Sequence, residues 1–204
     1  MNQLASRLDA RLTLRVYNYA RIDRQILGGA EKVATEVFER LGVQIAWVDC
    51  AVSQTESPAY PACQSEMGMA DLVLRILPQR MVDRVHASED ALGFAQPCPE
   101  SEAACELSVF YSRVDKLAGS NGYRAERILG YVIAHEAAHI LMGAGHSDLG
   151  IMRGEWSPNC LQRISWGMAV DFTKEQSREL RYVVVRRAAI SVEEVSTDAR
   201  LMAR

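Results

Sequence analysis

The chain predicts an α/β (α+β) fold, one domain with a C-terminal appendage: strands and a helix in the first half, a long buried helix, and a second long helix near the end. Three observations carry this expectation. Apolar residues alternate in short runs through the first half, they recur at spacings of three and four in longer segments, and no Gly-, Ser- or Pro-rich linker divides the 204 residues.

The elements follow in order. Leu12, Leu14 and Val16 alternate through LTLRVYNY, a strand pattern. Asp23 is placed to cap a helix whose apolar positions are Leu27, Ala30, Val33, Ala34, Val37, Phe38 and Leu41, with Gly42 at its left-handed end. VQIAWV, from Val43 to Val48, reads as a second strand, and the strand, helix, strand order favours a parallel pair with a right-handed crossover. DLVLRIL, from Asp71 to Leu77, is a third strand stopped by Pro78. LGFAQ (Leu92 to Gln96) and LSVFYSRV (Leu107 to Val114) are the next two, the short LGFAQ suiting a sheet edge.

RAERILGYVIAHEAAHILM, from Arg124 to Met142, places Ile128, Val132, His135 and His139 along one face, with Leu129, Ile133 and Ile140 beside them. At 1.5 Å per residue this predicts a buried helix about 28 Å long. Gly143, Ala144 and Gly145 end it. Thr173 and Gln176 have the spacing of a capping box and open a second long helix, TKEQSRELRYVVVRRAA. The segment from Ser191 onward is charged and lacks aromatic residues, so it reads as a tail.

Composition narrows the function. Twenty-three Lys and Arg against 26 Asp and Glu leave a net charge of −3, so no long-range field draws the chain to nucleic acid or an anionic membrane. No apolar run approaches the roughly 18 residues of a bilayer span. The opening MNQLASRLDARL interleaves charge with apolar residues where an export signal has an unbroken apolar core, which leaves open a leader ahead of Met1.

Cysteine bears on the compartment. Cys50 and Cys63, and Cys98 and Cys105, form two close pairs in Pro-containing stretches, which fits two short disulfides, with Cys160 left over. Closing the Cys50–Cys63 loop is worth about 3 kcal/mol in the loop-entropy model, the tighter loop somewhat less. Disulfides favour a secreted or periplasmic location; five reduced cysteines in a cytoplasmic protein are the alternative.

Three of the four histidines lie between positions 135 and 146, the first two framing a glutamate as HEAAH. Four apart on a helix, His135 and His139 project from one face with Cβ atoms about 6 Å apart. Both imidazoles can then reach one zinc ion at about 2.0–2.1 Å. Glu136 points to the side of that metal, where it can take a proton from a water whose pKa zinc lowers from 15.7 to about 7, and an amide carbonyl is the natural target. A third ligand has to come from beyond the helix. His146 is the candidate, because Gly143 and Gly145 allow the chain to reverse there. Met152, in GIM, is placed for a tight turn beneath the metal.

HEAAHILMGAGHS followed by GIM resembles the metzincin clan of zinc metallopeptidases, HExxHxxGxxH with a downstream Met-turn, and its HS is similar to the matrixin branch. The wider string HEAAHILMGAGHSDLGIMRGEW is also similar to uncharacterised bacterial predicted proteases. The resemblance implies a metzincin-like catalytic domain over residues 10–188, with a mixed twisted sheet, a backing helix and an active-site helix carrying HExxH in an upper part to about 143, a small lower part over about 144–188 ending in a helix, and a tail over 189–204. It implies an endopeptidase with Zn2+ held by His135, His139 and His146, Glu136 as the catalytic base, Met152 in the Met-turn, and a protein or peptide substrate lying extended along LGFAQ. A monomer without nucleic-acid or membrane partners is expected.

The chain departs from that pattern at two points. Gly143 is four residues after His139 and His146 is seven, each one more than in the family, which leaves Asp148 as an alternative oxygen ligand. No tyrosine stands close after Met152, the next being Tyr182, and Arg153 is the cation nearest in sequence that could stabilise an oxyanion. Glu155 and Glu175 are the ligands a gluzincin arrangement would use. Trp156, Trp166 and Met168 are expected either to line a specificity pocket or to pack the lower part. A non-catalytic or latent zinc protein that keeps the fold is the rival reading.

Overall fold

The structure is a computed structural model that describes residues 10–85, 87–99 and 102–202, with side chains described to residue 190. Its sheet has the order β2-β1-β3-β5-β4, formed by β1 (Arg11–Asn18), β2 (Gln44–Cys50), β3 (Asp71–Leu77), β4 (Gly93–Ala95) and β5 (Cys105–Phe110). The neighbours β2, β1, β3 and β5 are parallel, and β4 runs antiparallel to β5 at the edge. A parallel pair needs a crossover, which α1 (Arg24–Glu39) supplies between β1 and β2.

The alternation seen in sequence becomes two faces. Leu12, Leu14 and Val16 of β1, Leu72, Leu74 and Ile76 of β3, and Leu107 and Val109 of β5 are buried in one cluster with α1 and α4 (Ala125–Met142). Each such side chain contributes about 1.5–3 kcal/mol on burial. α1 starts where Asp23 Oδ1 accepts from the backbone N–H of Gln25 at 2.7 Å, and its buried stripe runs Leu27, Ala30, Val33, Ala34, Val37, Phe38. A single turn, α2 (Gln79–Val82), follows β3, and α4 is buried nearly all round from Ile128 to Leu141, since it is packed by α1, α3 (Tyr111–Asn121), α5 (Pro158–Ser165) and α6 (Lys174–Met202) as well as by the sheet.

The opposite face is covered by the loop after β2, which is fastened twice. A disulfide joins Cys50 to Cys63, with Cα atoms 5.3 Å apart. Arg15, buried in mid-β1, pairs with Asp71 at 2.7 Å and donates to the carbonyls of Cys63, Ser65 and Glu66. The second disulfide, Cys98–Cys105, closes the return from β4 to β5 with Cα atoms 5.9 Å apart. Arg187 of α6 (Lys174–Met202) reaches that loop, donating to the carbonyls of Cys98, Pro99 and Glu102 and to that of Met69. A buried guanidinium is tolerable because charge-assisted hydrogen bonds replace its water.

Three elements depart from the sequence expectation. The strand through LSVFYSRV stops at Phe110, and the chain enters α3 (Tyr111–Asn121), closed by Gly122 at φ 68°. β-branched and aromatic residues at 109–114 suggested continued extension, but Val114 and Ala118, one turn apart, are buried, and Arg113 bonds the carbonyls of Ser88 and Ala91, contacts remote in sequence. A further helix, α5 (Pro158–Ser165), occupies the lower part; Ser157 caps it by accepting from the N–H of Cys160, with Pro158 at its first position. α6 opens with the expected capping box, Thr173 and Gln176 bonding reciprocally, and runs on to Met202 through most of the segment read as a tail. Among the described residues no helix is long and apolar enough to cross a membrane.

Candidate metal centre

α4 presents His135 and His139 from successive turns, and the chain beyond Met142 brings a third imidazole to them. Gly143 makes the reversal with φ at 100°, a conformation that side chains with a Cβ rarely adopt, while its N–H still bonds the carbonyl of His139. His146 then returns so that its Nε2 lies 3.2 Å from Nε2 of His139, which is 3.0 Å from Nε2 of His135. The donor atoms of the three residues lie within 4.8 Å of one another. The extra residue falls ahead of Gly143, in the last turn of α4, and the three-residue step from Gly143 to His146 is unchanged.

The outer nitrogens fix the tautomers. Nδ1 of His135 lies 2.9 Å from the carbonyl oxygen of Ile151, and Nδ1 of His139 lies 3.0 Å from that of Gly143. A carbonyl can only accept, so both Nδ1 atoms carry the proton and both Nε2 atoms are bare lone pairs. Burial pushes the His135 imidazole down to about 4 and lowers that of His139, which keeps them neutral. Two bare nitrogens facing each other at 3.0 Å repel unless a cation lies between them. Nitrogen ligands at about 2.0–2.1 Å around a tetrahedral zinc ion stand about 3.3 Å apart, close to the spacings found. The donor set therefore fits a divalent metal with three protein ligands and one open position.

Glu136 is buried beside this cluster, and burial pushes its carboxyl up to about 8. A nearby cation opposes that rise, since it favours the ionised form. Met152 is fully buried, and its carbonyl accepts from Ser147 N–H at 2.8 Å, closing the turn that carries His146. Ser147 Oγ in turn accepts from Gln176, so the capping box of α6 also braces this loop. Trp156 stands edge-on to His135, centroids 5.9 Å apart, and donates its Nε1–H to the carbonyl of Ile151.

A cleft of about 870 Å³ opens over the cluster. Gly93, Phe94 and Ala95 of β4 form one side, α3 contributes Lys116 and Leu117, and Arg153, Glu155 and Trp156 form the opposite side. Asp148 is exposed and stands outside the histidine cluster; its carbonyl accepts from Arg153 Nε at 2.5 Å. Glu175 is exposed in the first turn of α6. Of the three side chains expected at a pocket, Trp156 lines the cleft, whereas Trp166, 70% exposed, and Met168 are not part of its wall. Cys160 is half-buried on α5 and also lies outside the cluster.

Sequence reasoning missed α3 as a wall of the cleft, the Ile151 carbonyl shared by His135 and Trp156, and the contact of Glu136 with β4. None of these has a local signal, because each joins residues distant in the chain.

No family model and no curated protein matches the chain. Among solved structures it is similar to archaemetzincin from Methanopyrus kandleri, with 14% sequence identity and a TM-score of 0.51 over 86% of this chain and 96% of that one. At that identity the likeness shows the fold, which is metzincin-like.

Proposed function

We propose that the chain is a zinc-dependent endopeptidase that hydrolyses peptide bonds of protein or peptide substrates. The observation that carries the reading is the convergence of three imidazole nitrogens, those of His135, His139 and His146, in a cleft with a buried carboxylate one residue on from the first. The three histidines would hold the metal, with their Nε2 atoms facing one another. When bound, zinc supplies a Lewis acid that polarises the scissile carbonyl and acidifies water. Glu136 takes the proton of the attacking water and gives it to the leaving amine nitrogen.

The edge strand orients the substrate. Phe110 N–H bonds the Leu92 carbonyl, which makes Gly93 and Val109 a non-hydrogen-bonded pair. The N–H and C=O groups of Gly93 and Ala95 therefore point away from β5, toward the cleft. An extended peptide can pair with them independently of its side chains. Met152, fully buried and bonded through its carbonyl to Ser147, would serve as the Met-turn residue, and HS at His146–Ser147 supports a matrixin-like branch. The two disulfides support a secreted or periplasmic location, and the chain acts as a monomer.

The test is digestion of a complex peptide mixture, read by mass spectrometry, with zinc-loaded wild type beside Glu136→Ala at equal metal content. Cuts made by the wild type and absent from the variant are expected. Zinc bound by both with no cleavage by either would point to a non-catalytic or latent zinc protein instead.

A further inference from the structure

The edge strand and the helix that carries the histidines touch at one place. An ideal Cβ built on Gly93 would lie 2.6 Å from Oε1 of Glu136, 2.7 Å from its Cγ and 2.8 Å from its Cδ. Real Cβ atoms essentially never come within 3.0 Å of such neighbours. Backbone conformation gives no reason for glycine here: Gly93 pairs with Val109 in a regular strand and is not among the residues with positive φ. What excludes a side chain is the Glu136 carboxylate lying against its Cα.

The strand is the less yielding of the two partners. Its approach is held by Phe110 N–H on the Leu92 carbonyl at 2.8 Å and by Arg113 on the carbonyls of Ser88 and Ala91 at 2.6 and 2.7 Å. Glu136, by contrast, can turn about its own side-chain bonds. Added bulk at position 93 would thus move the carboxylate and leave the strand in place.

Resting on the peptidase reading above, we infer that Gly93 is a positioning residue for Glu136: its bare Cα forms the floor that sets where the carboxylate stands, between the histidine centre and the outward-facing edge of β4. One residue then does two things. Its main chain faces the substrate, and its missing side chain seats the base.

The experiment compares zinc-loaded wild type, Gly93→Ala and the control Gly119→Ala, which alters a glycine on α3 with nothing within 4 Å of the added Cβ. Crystal structures, zinc content, kcat and KM are measured for each, and Gly93→Ala is repeated in the Glu136→Ala background, whose residual turnover is followed at raised enzyme concentration. The expected result for Gly93→Ala is a displaced Glu136 carboxylate with zinc content unchanged. Its kcat should fall by about 10²-fold or more while KM stays within about threefold. Gly119→Ala should match wild type, and Gly93→Ala should cost nothing further once Glu136 is removed.

A Gly93→Ala crystal structure with the carboxylate unmoved overturns the inference whatever the activity. So does a moved carboxylate with full turnover, or an equal loss in the Glu136→Ala background, and in those cases the peptidase reading stands. A wild type that cleaves nothing fails the peptidase reading first, and the catalytic role of Gly93 with it.

Discussion

His135 and Trp156 share one acceptor. Nδ1 of His135 and Nε1 of Trp156 lie 2.9 and 3.0 Å from the same carbonyl oxygen, that of Ile151, and the two rings meet edge-on at 87°. The tryptophan therefore fixes both the acceptor and the plane of the imidazole that turns Nε2 toward the centre. Trp156→Phe keeps an aromatic edge and removes the N–H. It should weaken zinc binding by about 10-fold, in the range seen for groups that orient metal ligands. Competition with a chromophoric chelator measures this, and unchanged affinity would mean that Ile151 holds His135 unaided.

His146 and Asp148 compete for the role of third ligand. Only the histidine lies in the cluster, so His146→Ala should lower zinc affinity by more than about 10²-fold while Asp148→Asn leaves it within about threefold. The same chelator titration distinguishes them, and the opposite ranking would move the ligand to Asp148.

Glu136 couples stability to pH in the zinc-free protein. Its folded value, about 8, lies above its ordinary 4.5, so its contribution is fully present below about 4.5 and is lost as pH rises through 8. Glu31, pushed up to about 7 by burial and by Asp49, acts with the same sign up to that pH. His135 acts oppositely: with its value lowered from 6.5 to about 4, its contribution is present above 6.5 and is lost as pH falls through 4. Between pH 7 and 8 Glu31 completes its titration while Glu136 carries the larger part of the slope, and Glu136→Gln should remove up to about 1.4 kcal/mol per pH unit there. Denaturant unfolding at pH 7 and pH 8 tests it. Equal slopes in the two proteins would show that the carboxyl is not held as described.

Arg15 and Asp71 form a buried pair under the Cys50–Cys63 loop, with side chains 5% and 14% exposed. Asp71→Ala leaves the guanidinium facing only neutral acceptors, three carbonyls and the Ser65 hydroxyl, and should cost about 3–5 kcal/mol. Urea unfolding at neutral pH measures this. Reducing the Cys50–Cys63 disulfide should add about 3 kcal/mol of its own, and a loss under about 1 kcal/mol for Asp71→Ala would mean that water reaches Arg15.

The sheet and its long helices were readable because they depend on local periodicity. Leu12, Leu14 and Val16 can share a face only in a strand, and Asp23 and Thr173 mark helix starts through hydrogen bonds within three residues. Ser157–Pro158 carried an equally local signal for α5, which a reading centred on the tryptophans passed over. α3 was misread because residues 109–114 carry β-branched and aromatic side chains. Burial of Val114 and Ala118, and the bonds of Arg113 to a loop more than 20 residues away, override that propensity.

The same division runs through the centre itself. Sequence alone placed His135, Glu136 and His139 relative to one another, since a helix repeats every 3.6 residues and fixes which side chains are neighbours. It also placed the glycines that allow the chain to turn back. Tertiary structure decided which nitrogen of His135 and of His139 is bare, through the carbonyls of Ile151 and Gly143; where His146 comes to rest; and that Gly93 faces Glu136 across 43 positions of chain. These are hydrogen bonds and steric contacts between segments whose separation only the packed sheet and helices determine, so no spacing in the sequence could have stated them.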